Sequence, residues 1–261
     1  MSAAVLTAAD PPLIRIDRVG AVAYVTLNRA AKYNVLSAAM MAGLKRALLE
    51  LETDRAVRVV VLGAEGRAFS AGHDLTEMGA DVDLEGMRAL FASCSELMLT
   101  IRRLPQPVIA RVQGVATAAG CQLVAMCDLA VASSDARFAV SGINLGLFCS
   151  TPAVALSRNL LQKPALEMLL TGEFIDAQTA CERGLVNRVA APAALDAEVE
   201  ALAAAIVAKS PQAIAAGKRL FYAQRELPLE RAYVLAGDVM AENATFDDAR
   251  RGIARFTQRS D

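Results

Sequence analysis

The sequence predicts an α/β protein with a layered core followed by a helical C-terminal region. Through residue 192, short apolar runs typical of strands alternate with longer runs whose apolar residues recur at helical spacing. From residue 151 onward the spacing becomes mostly helical. We therefore expect a core at residues 1–192 and a helical region at residues 193–261, with no glycine- or proline-rich linker between them.

The first elements are predicted to be a hairpin, a helix and a strand. Residues 13–16 and 22–27 are strand-like, and residues 17–20 are the expected turn between them. Ser37 precedes apolar residues at helical spacing, which predicts that a helix begins there. Residues 57–62 follow as a strand rich in β-branched residues.

The rest of the chain continues this alternation before turning helical. Helical spacing covers residues 84–104, and the strand-like runs 108–112 and 129–132 flank a short helix at 122–126. The remaining predicted elements are one short strand at 185–189 and helices at 151–161, 164–170, 177–183 and 195–209.

Charge and composition favour a folded protein with a small-molecule ligand. The 27 basic and 28 acidic residues give a formal net charge of −1 without a long block of one sign, so neither nucleic acid nor a membrane surface is an expected partner. Charged residues interrupt every apolar run before the roughly 18 to 20 residues that a spanning helix needs. The first ten residues contain no Lys or Arg, which favours a cytoplasmic location.

The cysteine and histidine content argues against metal chemistry. The five cysteines are odd in number and form no CxxC pair, so we expect reduced thiols that mostly fill the core. His73 is the only histidine, which excludes a multi-histidine zinc site. The sequence therefore predicts no metal and no permanently bound cofactor.

Two glycine-bearing turns carry the strongest functional signal. They are Ala68-Phe-Ser-Ala-Gly-His-Asp-Leu75 and Gly114-Val-Ala-Thr-Ala-Ala-Gly-Cys-Gln122, each between a strand-like and a helix-like run. Small residues let a ligand approach the backbone closely, and the N–H groups at a helix start carry positive partial charge. Such turns can bind a carbonyl oxygen as it becomes negative, which is the role of an oxyanion hole.

Several spaced motifs place the chain near one family. They include Leu27-Asn-Arg29, Asn34-Val-Leu36, Gly120-Cys-Gln-Leu123, Cys127-Asp128, Leu170-Thr-Gly172 and Gly184-Leu-Val186. With these motifs and the first turn, nearly the whole chain resembles the crotonase superfamily, the enoyl-CoA hydratase/isomerase family. Residues 141–152 most resemble its branch of enoyl-CoA hydratase domain-containing proteins.

The resemblance implies a fold, a ligand and an assembly. The fold would be a crotonase (ClpP-like) spiral of ββα units with a helical C-terminal region for trimerisation. The ligand would be an acyl-CoA thioester, with coenzyme A present only as part of that substrate. The assembly would be a homotrimer or a hexamer.

The resemblance also implies two main-chain donors and a ligand-binding surface. By motif matching, the oxyanion-hole donors are the backbone N–H groups of His73 and Ala119. The His73 side chain is then expected to have no functional role, and the alternative is that it contacts the ligand or takes part in catalysis. Lys32 is the candidate for a CoA phosphate, with a solvated surface lysine as the alternative. Asp74 has a helix cap as its favoured role. The remaining predicted contacts with the thioester are Ala71, His73, Asp74 and Leu75.

Both glutamates of the family's hydratases are missing from the matching positions, which hold Gln122 and Gly142. A hydratase needs one group that takes a proton from water and another that gives one to the α-carbon, each contributing roughly 10²- to 10⁴-fold. Gln122 suits a ligand-orienting role and a structural hydrogen bond equally. Cys149 and Ser150 lie where other branches of the family place an acid. Their favoured structural roles are a buried apolar thiol for Cys149 and a helix cap for Ser150.

These residues leave three functions open: a hydratase/isomerase-type enzyme with an unidentified proton carrier, a thioester hydrolase, and a catalytically inactive acyl-CoA-binding protein. RNA binding through a lysine-rich helix, known in one branch of the family, is disfavoured because residues 44–52 contain only two basic residues. We expect the walls of the acyl pocket to include Met78, Phe91 and Phe148.

Overall fold

Two β-sheets organise the residues that the computed structural model describes, 11–258. The strands are β1 (Ile14–Val19), β2 (Val22–Leu27), β3 (Val59–Ala64), β4 (Ala68–Ser70), β5 (Val108–Val112), β6 (Val115–Thr117), β7 (Leu129–Ser133), β8 (Arg137–Ala139), β9 (Ile175–Asp176) and β10 (Arg188–Ala190). The larger sheet has the order β1-β2-β3-β5-β7-β10, and the smaller has the order β4-β6-β8-β9. Apart from the antiparallel β1–β2 and β8–β9 pairs, neighbouring strands run parallel.

Helices fill the intervals between strands and then form the end of the chain. They are α1 (Ala38–Glu52), α2 (Leu84–Arg103), α3 (Ala119–Met126), α4 (Ser150–Leu156), α5 (Gln162–Thr171), α6 (Ala177–Glu182), α7 (Leu195–Val207), α8 (Pro211–Gln224), α9 (Leu229–Ala244) and α10 (Asp247–Thr257). Within residues 11–258 no single helix has both the length and the hydropathy to cross a membrane. Only the pair Pro192–Val207 and Pro211–Gln224, bent by 103°, meets both criteria together.

Ser37 begins α1 as predicted, because its hydroxyl accepts a hydrogen bond from the Met40 N–H at 3.2 Å. The predicted α/β fold class is confirmed, and most predicted elements differ from the observed ones by at most two residues at either end. The exceptions are the first turn, the start of α3, the end of α4 and the length of β10.

The predicted turn at residues 17–20 is wrong, because β1 continues to Val19 and pairs there with Val22. The connection is the two-residue turn Gly20-Ala21, in which Gly20 has a φ of +57°. A two-residue hairpin loop needs a residue with positive φ, and glycine adopts this conformation without steric cost.

Helix α4 ends at Leu156 and not at residue 161. The side-chain amide of Asn159 donates to the carbonyl oxygens of Ala155 at 2.8 Å and Ala125 at 2.9 Å. These bonds satisfy a carbonyl at the end of the helix and tie it to α3, so the chain turns there.

The predicted strand at 185–189 is reduced to β10, Arg188–Ala190, which pairs with β7. Gly184 has a φ of +85° after α6, and the Leu185 N–H donates to the Ala180 carbonyl at 2.8 Å. Leu185 is buried in the core. It therefore packs within the turn that ends α6, and its burial does not require strand pairing.

Strand β3 separates two hydrophobic clusters. Val60 and Leu62 face the larger cluster, with α1 and α2, whereas Val59 and Val61 face a smaller cluster with residues of α7. Alternating side chains point to opposite faces of a sheet, so β3 is buried on both sides. The site described below lies on the side of the larger cluster.

Helix α8 is tied to the core by an ion pair. Lys218 Nζ lies 2.6 Å from an Asp128 carboxylate oxygen, and the Tyr222 hydroxyl donates to the other oxygen at 2.8 Å. Helix α8 of the C-terminal region thus packs against the core of its own chain. The division of the chain at residue 192 stays a prediction.

Candidate active site

The two glycine-bearing turns meet at one edge of the smaller sheet. β4 and β6 are parallel neighbours, with Ala68 opposite Val115 and Ser70 opposite Ala116. The carboxyl ends of parallel strands lie at the same edge of a sheet. The segment that follows β4 and the start of α3, which follows β6, are therefore brought together.

Gly72 sets the separation of the two turns. Its φ is +90°, and a Cβ added there would lie 3.3 Å from the Ala119 nitrogen and 2.9 Å from the Ala118 Cβ. Both the conformation and the space therefore call for glycine. The backbone next to His73 thus approaches the N–H of Ala119 so closely that only a glycine fits between them without crowding.

The start of α3 is strained and tightly held. It begins at Ala119, three residues before the predicted start, after Ala118, which has a φ of +50° and a ψ of −121°. Such a conformation costs an alanine on the order of 1–3 kcal/mol and persists where the surroundings fix it. The Ala118 N–H donates to the Ala139 carbonyl at 3.0 Å, and a Cβ on Gly120 would lie only 2.3 Å from the Ser70 carbonyl oxygen.

The N–H groups of His73 and Ala119 donate to no acceptor among residues 11–258. Ala119 is the first residue of α3, and the first N–H groups of a helix have no partner within it. Their neighbours are paired, because the Gly72 N–H donates to the Ser70 hydroxyl at 3.3 Å and the Ala118 N–H to a carbonyl. Two unpaired donors therefore lie on turns that approach each other closely at Gly72 and Ala119.

These donors border a cavity of about 550 Å³. Both His73 and Ala119 line it, as do the predicted wall residues Met78, Phe91 and Phe148. Its other lining residues are Val35, Ala71, Asp74, Leu75, Thr76, Ala118, Ser141, Gly142, Leu145, Leu147, Cys149, Ser150, Thr151 and Pro152. A mostly apolar cavity with a few polar groups is typical of a small-molecule site.

Both ring nitrogens of His73 are buried, although the residue as a whole is only half-buried. Neither nitrogen makes a well-aligned hydrogen bond within the described residues, and the Leu36 carbonyl is the polar backbone group that acts on the ring. The ring packs edge-on against Phe91, with the centroids 5.6 Å apart. Burial lowers the pKa of His73 below its ordinary value, against the opposing effects of the Leu36 carbonyl and the Glu77 carboxylate.

Asp74 has the capping geometry predicted for it. One carboxylate oxygen accepts from the Thr76 hydroxyl at 2.7 Å and from the Thr76 N–H at 3.1 Å, at the start of the 3-10 helix Leu75–Met78. The pKa of Asp74 is lowered mainly by the Thr76 hydroxyl and also by Lys32 and Arg29. Lys32, on the 3-10 turn Ala30–Lys32, is thus close enough to act on Asp74 but does not line the cavity.

Gln122 is not among the residues that line the cavity. Its side chain is buried, and its Oε1 lies 3.9 Å from the Cys94 Sγ of α2, within range of a weak S–H hydrogen bond. Of the two roles that the sequence left open, this contact favours the structural one. The amide oxygen of Gln122, at the position that the resemblance matches to the first hydratase glutamate, therefore lies against a neighbouring helix.

Gly142 lines the cavity, but the space beside it is filled. A Cβ added there would lie 2.7 Å from the Leu147 carbonyl oxygen and 2.8 Å from the Cys149 Sγ. The thiol of Cys149 therefore occupies the direction in which a side chain at position 142 would leave the backbone. Burial raises the pKa of this thiol, which keeps it protonated and matches the predicted buried cysteine.

Ser150 does not cap α4, contrary to the favoured prediction, because α4 begins at Ser150 itself. Its hydroxyl donates to the Phe148 carbonyl at 3.3 Å. The sequence reasoning also missed a polar pair beside the cavity, in which the hydroxyl of Ser141, a lining residue, lies 2.8 Å from the hydroxyl of Thr117. Their positions next to Gly142 and within the second turn were the available signal.

The described residues contain no cluster of three or more His, Cys, Asp or Glu side chains that could hold a metal ion. The chemical groups around the cavity are therefore backbone donors, hydroxyl groups, a neutral thiol, the Asp74 carboxylate and one imidazole whose nitrogens are buried. This combination suits the binding and polarisation of a carbonyl compound.

Comparison with curated proteins corrects the predicted location. Enoyl-CoA hydratase domain-containing protein 3, mitochondrial, from Rattus norvegicus is 42% identical over 250 residues, covering 96% of this chain and 83% of the relative. The human protein of the same name is 43% identical over 90% of this chain and 78% of its own. These mitochondrial relatives contradict the cytoplasmic prediction, which is wrong. That prediction relied on the composition of residues 1–10, which lie outside the described residues and do not decide a compartment.

Solved structures and a family model agree on the fold and family. The crystal structure of enoyl-CoA hydratase from Mycobacterium smegmatis is 57% identical, with a TM-score of 0.94 over 95% of this chain and 97% of that one. Human enoyl Coenzyme A hydratase domain-containing protein 3 is 41% identical in its crystal structure, with a TM-score of 0.92 over 95% and 98%. The family model Enoyl-CoA hydratase/isomerase matches residues 17–261. The chain therefore has the predicted crotonase fold and belongs to the enoyl-CoA hydratase/isomerase family.

Proposed function

We propose that this protein binds an acyl-CoA thioester and stabilises the enolate of that thioester with the backbone N–H groups of His73 and Ala119, as an enoyl-CoA hydratase/isomerase-type enzyme. The observation that carries the proposal is the pair of unpaired donors, held together by the close approach of Gly72 to Ala119. Family membership supplies the class of ligand.

The energetics favour this use of the backbone. A single donor aimed at a developing oxyanion contributes about 10²- to 10³-fold to the rate, because it is fixed before the charge appears. The strain at Ala118 and the tight contact of Gly120 with Ser70 fix the second donor in advance. A strained backbone at Ala118 is thus the energetic cost of holding the second N–H group in place.

The rest of the thioester would contact the neighbouring surface. The apolar cavity wall, including Met78, Phe91 and Phe148, suits an acyl chain. Ala71, Asp74 and Leu75 lie beside the donor of the first turn, where the part of CoA nearest the thioester would pass. Lys32 is the proposed partner of a CoA phosphate, and its exposed ammonium group can reach a phosphate by Coulomb attraction.

A second candidate is an acyl-CoA-binding protein without catalysis. It is favoured by Gln122, which is buried against Cys94, and by Gly142, whose side-chain space is filled by Cys149. Neither position offers the carboxylates on which a two-glutamate hydratase depends. Thioester hydrolysis has no comparable observation in its favour.

We also propose that the chain assembles as a homotrimer or a hexamer through its C-terminal helices. On α9, Leu229, Tyr233 and Met240 are 68%, 72% and 77% exposed, and their spacing places them on one face. Exposed apolar groups arranged in this way are typical of an interface between proteins. Light scattering of the purified chain distinguishes three copies from six, and a monomer would contradict the proposal.

A product screen by mass spectrometry tests the proposed activity. The purified protein is incubated in deuterated water with saturated, 2-enoyl and 3-enoyl CoA thioesters, and binding is measured separately by calorimetry. Hydration, free CoA and deuterium exchange each leave a different mass. Hydration, isomerisation or α-exchange supports the enzyme, free CoA identifies a hydrolase, and binding without any product identifies the binding protein.

A further inference from the structure

Two hydroxyl groups beside the cavity form a pair that the proposed oxyanion hole does not use. The Thr117 Oγ1 and Ser141 Oγ atoms lie 2.8 Å apart, and this is the one side-chain hydrogen bond of either residue within residues 11–258. Each hydroxyl has one proton to donate. When Thr117 donates to Ser141, the Ser141 proton is therefore available to a ligand, and in the opposite arrangement Ser141 still has a lone pair to accept with.

The other hydroxyls of the cavity wall are bonded to protein acceptors or have no partner to orient them. Thr76 and Ser150 donate to acceptors at 2.7 Å and 3.3 Å, so their protons are already used. Thr151 lines the cavity on α4, and its hydroxyl makes no hydrogen bond within residues 11–258. The Ser141 hydroxyl differs from both cases, because Thr117 orients it and leaves a bonding position free. A group oriented in advance loses less entropy when a ligand binds.

The hydroxyl pair lies beside the donor of the second turn. Thr117 ends β6, and a single residue, Ala118, separates it from Ala119. Ser141 follows β8, in which Ala139 pairs with Thr117 and accepts from the Ala118 N–H at 3.0 Å. Ala118, Ala119 and Ser141 all line the cavity, and Ser141 is half-buried. A ligand bound at the Ala119 N–H thus has the Ser141 hydroxyl on the same stretch of cavity wall.

We infer that the Ser141 hydroxyl, oriented by Thr117, determines specificity by hydrogen bonding to an oxygen on the β-carbon of the acyl group. This inference rests on the proposed function, because a thioester carbonyl held by the N–H groups of His73 and Ala119 fixes where the acyl group begins. Only the α-carbon separates the β-carbon from the carbonyl carbon, so an oxygen attached there stays close to the carbonyl.

The chemistry of the hydroxyl pair defines a class of substrate. An oxygen on the β-carbon loses its bonds to water when it enters a mostly apolar cavity, and a hydrogen bond to Ser141 replaces them. A saturated chain offers no such atom and leaves the available proton of the pair without an acceptor. The class is therefore acyl-CoA thioesters with a hydroxyl or keto group on the β-carbon.

Two thioesters that differ by one oxygen test this inference. The probes are butyryl-CoA and 3-hydroxybutyryl-CoA, with the two enantiomers of the latter measured separately by calorimetry. We expect the wild-type chain to bind one enantiomer more tightly, because an oriented hydroxyl matches one configuration. Ser141→Ala should weaken the binding of that enantiomer about 3- to 10-fold, the value of one ordinary hydrogen bond. Its affinity for butyryl-CoA should stay within about twofold.

Thr117 acts through Ser141 and is a positioning residue. Thr117→Val keeps the shape of the side chain and removes its hydroxyl, so it should weaken the binding of the preferred enantiomer about 2- to 5-fold. Thr117→Ser keeps the hydroxyl and should retain most of the wild-type affinity, which a merely structural role of the threonine methyl group would not produce. Thr151→Val is the matched control, because it removes a cavity hydroxyl that no residue orients, and it should change neither affinity.

The outcomes separate this inference from the proposed function. If the wild-type chain binds none of these thioesters, the proposed function fails. If butyryl-CoA binds but Ser141→Ala weakens all the thioesters equally or weakens none, Ser141 does not contact the β-oxygen and thioester binding stands. A change that occurs in Thr151→Val and not in Ser141→Ala would likewise overturn the inference. Circular dichroism checks that each variant folds.

Discussion

The proposed site has a backbone part and a side-chain part. The backbone part is the two turns at His73 and Ala119, and the side-chain part is positions 122 and 142. The two parts differ in the functional groups that they offer to a ligand. The turns hold two free N–H groups at a fixed separation, through a positive φ at Gly72 and a strained Ala118. Position 122 is turned to Cys94, and the space at 142 is filled by Cys149. In the proposed site the two backbone donors are therefore present, whereas positions 122 and 142 offer no carboxylate.

This difference has a physical origin. A backbone donor depends on chain conformation, so small residues and glycines at fixed positions maintain it regardless of the neighbouring side chains. A carboxylate depends on one side chain and can be lost by one substitution.

The largest effect is expected from crowding the backbone part at Gly120. A Cβ at this position would lie 2.3 Å from the Ser70 carbonyl oxygen, and backbone cannot move aside as a flexible side chain can. We expect Gly120→Ala to lower the free energy of unfolding by about 3 kcal/mol, measured by urea denaturation. Gly217→Ala in α8, where no atom lies within 4 Å of the new Cβ, is the control and should stabilise by about 0.5–1 kcal/mol.

Crowding the side-chain part at Gly142 should cost less and should depend on Cys149. Gly142→Ala is expected to cost about 2 kcal/mol, because its Cβ meets both the Leu147 carbonyl and the Cys149 Sγ. In a Cys149→Ala background the cost should fall by about 0.5 kcal/mol or more, which a double-mutant cycle in urea measures. Equal costs in both backgrounds would mean that the thiol does not fill this space.

Restoring the first glutamate should not restore hydration. Gln122→Glu places a carboxyl group in a buried position beside Cys94, so its pKa in the folded protein is raised above the ordinary value. A raised pKa means that stability is lost as pH rises from about 4.3 through the folded-state value. We expect a loss of about 1–2 kcal/mol at pH 8 relative to pH 5.

The matched control for that prediction is Gln122→Met, which has a similar shape and no charge and should show no such difference between the two pH values. Crotonyl-CoA hydration, followed by loss of the enoyl absorbance, measures the activity of both variants. A gain of hydratase activity in Gln122→Glu would show that the side chain at position 122 reaches the thioester. It would contradict the distinction between the backbone part and the side-chain part of the site.

The smallest expected effect comes from the charge on His73. Its pKa is lowered by burial in the folded protein, so the unfolded chain binds more protons as pH falls below about 6.5. The wild-type protein should therefore lose more stability between pH 7 and pH 5.5 than His73→Phe does. Parallel losses in thermal denaturation would mean that the imidazole titrates as it does in the unfolded chain.

The backbone part of the site was predictable from the sequence, and the fate of the side-chain part was not. The turns carry local signals, since glycine and small residues at 68–75 and 114–122 report directly on chain conformation. The orientation of Gln122 depends on Cys94, 28 residues away, and the crowding at Gly142 depends on how the following loop folds back. Such contacts exist only after the elements have packed, and no periodicity encodes them.

The same reasoning applies to the fold. Ser37 marks the start of α1 because a helix cap is a local interaction. The end of α4 was missed because Asn159 ends it partly through the Ala125 carbonyl of another helix. Helix α7 was correctly placed along the chain, but its position on the second face of β3 required the folded structure.

The central claim is that two backbone N–H groups polarise a thioester carbonyl, and vibrational spectroscopy tests it most directly. The carbonyl stretch of butyryl-CoA, labelled with ¹³C at the thioester carbon, is recorded by infrared difference spectroscopy in the free and bound states. We expect a shift to lower frequency in the wild-type complex that is lost in Gly72→Ala, whose Cβ would crowd the Ala119 nitrogen at 3.3 Å, and kept in Gly20→Ala, whose Cβ meets nothing within 4 Å. A bound thioester whose carbonyl frequency does not change in the wild-type protein would contradict the claim.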